Sequence, residues 1–453
     1  MDQQDLLLKY NIPAPRYTSY PTVPYWNESM NNLSWKEMFY EQFKIHNLKE
    51  GLALYIHLPF CESLCTYCGC NKKISLQHHV ELPYVEAVLK EWKMYLNLMN
   101  QAPIIREIHL GGGTPTFFSP ENLVRLLTTI FNDAIIHPQY EFSFEGHPNN
   151  TTREHLEALY QLGFRRVSFG VQDNDPVVQK AINRIQPLEN VKSVTGWARD
   201  TGYTSVNYDL IYGLPFQNTS GLEKTLHEVL SLRPDRIAFY NYAHIPWKSK
   251  SQRLYSEQDL PLAQDKIKLY TLGKEIFMDY GYVDIGMDHF ALAHDSLVKA
   301  KYLKNLHRNF MGYTQTNTSL LLGLGVSSIS DASKAYAQNE KELKTYYESI
   351  AAGQLPIAKG LLLDKKDEYF RQHILNIACN GTTTLDQEFP VEINKIVLPR
   401  LKELEADGLV EIRGKTVFLT AIGQQLTRIV CHAFDLYASG QQENIQNQFS
   451  KAI

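Results

Sequence analysis

The chain has 453 residues, too many for one small core, and with 44% hydrophobic residues it can bury a large interior. Its formal net charge of −4, without a long basic run, excludes an electrostatic footprint for nucleic acid or an anionic membrane surface, so an acidic substrate must be met by locally placed cations. The first thirty residues lack the charged start and apolar run of a signal peptide, no apolar segment is long enough to span a bilayer, and the six cysteines do not form a secreted disulfide pattern; a cytoplasmic protein with a metal is expected.

Residues 1–50 include "PAPRYTSYPTVPYW", dense in Pro and Tyr. Prolines favour a loose tail and the aromatics a packed arm, which we place over the active site. From Leu52 a rhythm sets in. Runs rich in β-branched and aromatic residues occur at Leu52–His57, Ile105–Leu110, Tyr140–Glu145, Arg165–Gly170, Ser205–Ile211 and Asp235–Asn241. Helical periodicity separates them, as in "SPENLVRLLTTIFNDA", with Ser119 as N-cap, and "TTREHLEALYQLGF", with Thr151 or Thr152 as cap and Gly163 as stop.

Alternating strands and helices predict an α/β fold with a parallel sheet. Six units cannot close an eight-stranded barrel, so residues 51–290 are expected to form a partial, three-quarter TIM-like β/α barrel. Each strand runs directly into polar or glycine-rich sequence: the cysteine loop, "GGGTPT", "EGHPNN", "VQDND", "YGLP" and "YAHIP". In such folds the carboxyl ends of strands collect the reacting groups, so the six loops should face one site. Residues 291–364 are read as an extension completing that site. Residues 365–453 are read as a mostly helical domain in which "LPRLKELEADGLVEIRGKTVFLTAIG" has a winged-helix-like order; without a basic groove it is a structural module rather than a nucleic-acid reader.

The densest chemistry is "CESLCTYCGC", Cys61, Cys65, Cys68 and Cys70. Structural zinc usually takes two separated cysteine pairs, and no second pair is present. Three thiols at x3 and x2 spacing suit a [4Fe–4S] cube with one iron left open; zinc and a redox thiol pair are the alternatives. Cys70 is surplus, and its spacing leaves ligation, reaction and packing all open.

C-x3-C-x2-C after the first strand, followed by "GGGTPT" after the second, resembles the radical S-adenosylmethionine superfamily. The strings "PRYTSYPT", "YIHLPFC", "CTYCGCNK", "FGVQD", "NYDLIYGLP", "NYAHIP", "GMDHFAL", "LHRNFMGYTQ" and "LLGLGVSSIS" resemble one of its families, the oxygen-independent coproporphyrinogen III oxidases. The resemblance implies that Cys61, Cys65 and Cys68 bind the cluster and that two S-adenosylmethionine molecules are held at once. It implies radical decarboxylation of two propionates of coproporphyrinogen III to vinyl groups, giving protoporphyrinogen IX, with a low-potential electron donor and a monomeric enzyme. Tyr55 and Glu145 would hold the cluster-bound cofactor, with Ile329 against its adenine. Tyr67, Gly112, Gly113, Thr114, Gln172, Arg184, Asp209 and Ala243 would serve the second molecule. His57 and Cys70 would act on the substrate side.

The residue types agree, each with a plainer alternative. Gly111 to Gly113 permit close backbone approach but are also what a turn needs. Glu145 and Asp209, at strand ends, can bind an ammonium or ribose hydroxyls or simply cap. Arg184 offers a carboxylate fork, though a lone arginine after a helix is usually solvated. His57 can be a packed strand end. "EGHP" departs from the family in Gly146 and His147, which leaves the loop geometry open. The rivals are a haem chaperone on the same scaffold, whose members typically lack the fourth cysteine and the long arm, and a non-enzymatic zinc or iron–sulfur module.

Overall fold

The six runs form strands in the computed structural model, which describes residues 3–28, 30–247, 249–386, 388–440 and 449–452. They are β1 Leu52–Leu58, β2 Ile104–Gly112, β3 Ile135–Gly146, β4 Arg166–Gln172, β5 Ser205–Tyr212 and β6 Arg236–Asn241. They lie side by side in chain order, every pair parallel. A seventh parallel strand, β7 Leu321–Leu324, pairs on the other side of β1. Its short apolar run carries no alternation, so periodicity does not separate it from a buried helix segment. Antiparallel strands extend both ends: Ile329–Asp331, Ala335–Asn339 and Ile357–Leu362 beyond β7, His289–Leu292 and Tyr282–Gly286 beyond β6. The six-unit expectation is therefore corrected, among the described residues, to seven parallel strands within one twelve-stranded sheet.

Alternation along the strands decides what each face does. Leu54 and Ile56, Ile108 and Leu110, Phe142 and Phe144, Val167 and Phe169, Tyr208 and Leu210, and Ile237 and Phe239 are all buried in the main core. That core includes apolar side chains of α1 Glu81–Met99, α2 Pro120–Asn132, α3 Arg153–Gln161, α4 Leu188–Thr201, α5 Thr219–Leu230 and α6 Ala263–Asp279. The intervening residues are polar or small and fall in register: Tyr55, His109, Ser143 and Arg166 form one row across β1 to β4, and Glu145 pairs with Ser168. Gly170 and Asp209 are partners across β4 and β5. A sheet buried on both faces normally has apolar residues on both. This polar face marks where the molecule keeps room for something else.

The predicted caps form with one refinement. Ser119 accepts from the Asn122 N–H, and Thr152 rather than Thr151 caps α3, accepting from His155 N. The arm's aromatics decide its fate: Tyr17 and Tyr20 are each 2% exposed, and Tyr17 Oη bonds His432 Nδ1 and Asp435 Oδ2, both at 3.0 Å. In the carboxyl-terminal segment, helix Leu398–Ala406 leads to strands Val410–Arg413 and Thr416–Leu419, joined through Gly414, and Thr382–Thr384 adds a third strand. Among the described residues, no helix is long and apolar enough to cross a membrane.

Candidate active site at the carboxyl ends of the strands

The chain leaves β1 at Leu58 and enters the cysteine loop through a two-residue strand, Phe60–Cys61, paired with Lys73–Ile74. Lys73 N donates to Pro59 O at 2.8 Å and Ser75 N to Cys61 O at 2.9 Å, closing the loop at its base. Its far side rests on the segment after β4: Asn183 Nδ2 donates to Leu64 O at 2.8 Å and Thr66 N to Ile182 O at 3.0 Å. The glycine triplet makes this approach possible. A Cβ on Gly113 would lie 2.6 Å from the Pro59 carbonyl, and one on Gly112 (φ +118°) 2.8 Å from the His57 ring. The closeness these glycines permit is thus to the protein's own β1 end, while Gly112 and Gly113 still line the cleft.

That cleft, about 300 Å³, is lined by all four clustered cysteines, by Tyr67, Gly112, Gly113 and Thr114, and by Glu145, Gln172, Arg184 and Asp209. Twelve of the sequence-predicted site residues therefore converge, from five different strands or the loops after them. Tyr55, His57 and Ile329 line an adjoining cavity of about 380 Å³, which shares Cys70, Gly112, Glu145 and Tyr240 with the first. Ala243 lines neither. It belongs to a third cavity bounded by the arm, and is tied to the cysteine loop through Gln252 Nε2, which donates to both Ala243 O and Tyr67 O at 3.2 Å.

Each thiol has its own surroundings. Cys61 Sγ accepts from Thr114 Oγ1 at 3.3 Å, and burial pushes its pKa up to about 11. Cys65 Sγ faces Arg184 Nη1 at 3.5 Å. A hydrogen bond from Cys70, aided by Lys72 and Arg184, draws Cys68 down to about 6. Among the described residues no three His, Cys, Asp or Glu side chains converge on a point that one ion could occupy. The donor set fits a multi-iron cluster, in which each thiolate bonds a different iron: three thiols ring one cleft and have cationic or hydroxyl neighbours. Arg184 is packed rather than solvated. Its Nη2 donates to Gly170 O at 2.6 Å, and its buried Nε has no partner among the described residues.

Burial alone would raise the Glu145 carboxyl, but His109 and the Gly112 N–H hold it below its usual range, at 3.4 and 3.3 Å. It stays charged and 43% exposed to the cleft. Asp209 differs: burial, with Glu145 nearby, pushes it up to about 7, and its Oδ1 accepts from Ser168 Oγ at 3.2 Å. His57 is kept neutral by burial. Because Nε2 meets the Asn71 carbonyl at 2.8 Å it carries the proton, leaving Nδ1 to accept from Tyr55 Oη at 3.1 Å. The "EGHP" loop is compact: a Cβ on Gly146 would lie 2.8 Å from Thr151 Oγ1 and 3.0 Å from the Phe169 ring, and His147 lines the first cleft.

Sequence patterns passed over Arg16, His109, Tyr240, His289 and Arg308 on the second cavity's walls. "LHRNFMGYTQ" and "GMDHFAL" contain His289 and Arg308, but neither string holds a spacing that points to chemistry.

Comparison with known proteins places the whole chain beside named relatives. Residues 55–229 match the model of the radical SAM superfamily. Over 455 residues the chain is 38% identical to the oxygen-independent coproporphyrinogen III oxidase of Helicobacter pylori, covering 98% of each chain. It is 36% identical to the Escherichia coli protein of that name over 459 residues, 99% of this chain and 98% of the other. The solved structure of the radical SAM enzyme coproporphyrinogen III oxidase (HemN) from Escherichia coli superposes with a TM-score of 0.89 at 35% identity, over 96% of this chain and 99% of that one.

Proposed function

The chain belongs to the oxygen-independent coproporphyrinogen III oxidase family of the radical SAM superfamily, and on that premise we propose that it decarboxylates the ring A and ring B propionates of coproporphyrinogen III to vinyl groups, giving protoporphyrinogen IX for haem biosynthesis. The observation that carries this reading is the convergence of Cys61, Cys65, Cys68, Cys70, Glu145, Arg184 and Asp209 on one cleft.

Family membership implies a [4Fe–4S] cluster and S-adenosylmethionine, which when bound supply a one-electron reduction and hydrogen-atom abstraction from an unactivated C–H bond. Cys61, Cys65 and Cys68 would hold the iron. Glu145, ionised beside Gly112, would accept from the cofactor's ammonium, and Tyr55 and Ile329, on the same second cavity, would contribute to holding it, Ile329 toward the adenine. A second S-adenosylmethionine would use Tyr67, Gly112, Gly113, Thr114, Gln172, Arg184, Asp209 and Ala243. Ala243 has the weakest support, since it faces a different cavity. His57 would keep Tyr55 and the cysteine loop in place on the substrate side. Cys70, common to both cavities, would offer its thiol toward the substrate.

We read the parallel strands as a partial β/α barrel, supported by their polar inner face. Residues 1–50 serve as an arm over the site, 51–290 as the core, 291–364 as the extension that brings Ile329 and Arg308, and 365–453 as a winged-helix-like module. The protein is read as a cytoplasmic monomer served by a low-potential electron donor.

The test is an anaerobic assay of the reconstituted protein with coproporphyrinogen III, S-adenosylmethionine and a low-potential reductant. Protoporphyrinogen IX with about two 5′-deoxyadenosines per porphyrin is expected, one for each propionate. Deoxyadenosine without porphyrin conversion overturns the substrate; neither product, with tight haem binding, favours the chaperone.

A further inference from the structure

With a net charge of −4, the protein as a whole offers a tetracarboxylate no attraction. Recognition must come from cations inside the site, and several of the buried or half-buried arginines are already committed. Arg16 pairs with Asp288 at 2.5 Å, Arg236 with Asp295 at 2.8 Å, and Arg371 with Asp331. Arg428 spends its donors on backbone carbonyls of the arm and the segment 450–452. Arg308 differs from all four.

Arg308 sits on the short strand His307–Asn309, is 4% exposed, and lines the cavity that also holds Cys70 and Ile329. Its guanidinium lies over the Tyr313 ring, 4.6 Å from the centroid, and Nε donates to the arm's Arg16 carbonyl at 3.4 Å. Among the described residues it has no carboxylate within ion-pair reach, and its buried Nη1 has no hydrogen-bond partner. On the same cavity, His289 Nδ1 is likewise buried and unpartnered. Burying a guanidinium without an anion is costly, whereas a planar fork fixed along one edge is organised in advance for a carboxylate.

Resting on the oxidase reading, we propose that Arg308 is the seat of a substrate propionate, one of the two that the reaction leaves in place. A reacting carboxylate must lose its charge as CO2, and a forked ion pair stabilises the anion before the transition state rather than in it, which opposes reaction. A retained propionate suffers no such penalty and can fix the ring's orientation. The arm contributes through the Arg16 carbonyl that aims the fork.

The experiment compares binding of three stable porphyrins to the reconstituted full-length protein: coproporphyrin III, mesoporphyrin IX, which keeps only the two retained propionates, and mesoporphyrin IX dimethyl ester, which has no anion. Arg308→Met is expected to weaken the first two by about ten- to a hundredfold and leave the ester unchanged, while Arg308→Lys recovers part of the loss. Equal loss for the ester, or no loss for any ligand, overturns the assignment. Loss confined to coproporphyrin III moves Arg308 to a reacting propionate and overturns the choice made here. Melting temperatures separate binding from misfolding, because a misfolded variant loses the ester too. Wild-type turnover separates the two readings: a wild type that converts coproporphyrinogen III while Arg308→Met binds normally refutes only the seat, and one that neither binds nor converts it refutes the oxidase reading.

Discussion

His57 Nε2 meets the Asn71 carbonyl at 2.8 Å, so the strand that ends just before Cys61 also grips the chain just after Cys70. The cysteine loop is therefore held at both ends by one strand; the Asn71 carbonyl sets the tautomer, and the Tyr55 hydroxyl donates to the Nδ1 it leaves free.

Replacing His57 by Ala removes both bonds and leaves Gly112 beside a void, since the ring lies against that residue. A loss of about 2 kcal/mol in apoprotein stability is expected, together with poorer retention of iron. Chemical denaturation and iron content per chain measure the two. Unchanged iron content would mean that the loop holds itself.

Gly113 and Gly69 make a matched pair. A methyl on Gly113 meets the Pro59 backbone at 2.6 Å, whereas a methyl on Gly69 meets nothing within 4 Å. Gly113→Ala should lower cluster incorporation at least severalfold, because backbone must move at the loop's base, while Gly69→Ala, inside the cysteine motif itself, should load normally. Visible absorbance after anaerobic reconstitution reads both.

Cys61→Ala, Cys65→Ala and Cys68→Ala should each abolish the cluster's visible absorbance; a variant that keeps the full cluster refutes that ligand. Cys70 lines both cavities and is hydrogen-bonded to Cys68. Cys70→Ser should keep the cluster and lose product formation, and loss of iron instead would make it a ligand.

Acid should destabilise the carboxyl-terminal region through His373, which burial draws down to about 4 and whose Nδ1 bonds Thr383 Oγ1 at 2.7 Å. Its folded pKa lies below the unfolded value of about 6.5, so its contribution is complete above that value and is lost as pH falls toward about 4. By pH 5 the loss is about 2 kcal/mol. His373→Asn should flatten this part of the stability–pH curve; identical slopes in wild type and variant would refute the assignment.

Local patterns made much of the site legible. Runs rich in β-branched and aromatic residues located β1 to β6, since strand preference is written in neighbouring side chains. The loop residues after those strands followed, because parallel strands put their carboxyl ends on one edge. Cysteine spacing is equally local, and all four thiols meet one cleft. The pairing of β7 with β1 was not legible. Leu321–Leu324 lies more than 250 residues beyond its partner and carries no period of its own.

What the sequence by itself determined is most of the cleft's composition, the residues delivered by five of the six strands or the loops after them, and the family whose chemistry they resemble. Only the tertiary structure decided who faces whom. Arg184 is packed against Cys65, Ala243 turns to another cavity, and among the described residues Arg308 is left without an anion while Arg16 and Arg236 find one. The physical reason is range. Strand period and motif spacing are set by neighbours along the chain, whereas pairing, burial and the satisfaction of a buried charge depend on residues hundreds of positions away that meet only once the sheet and its arm have assembled.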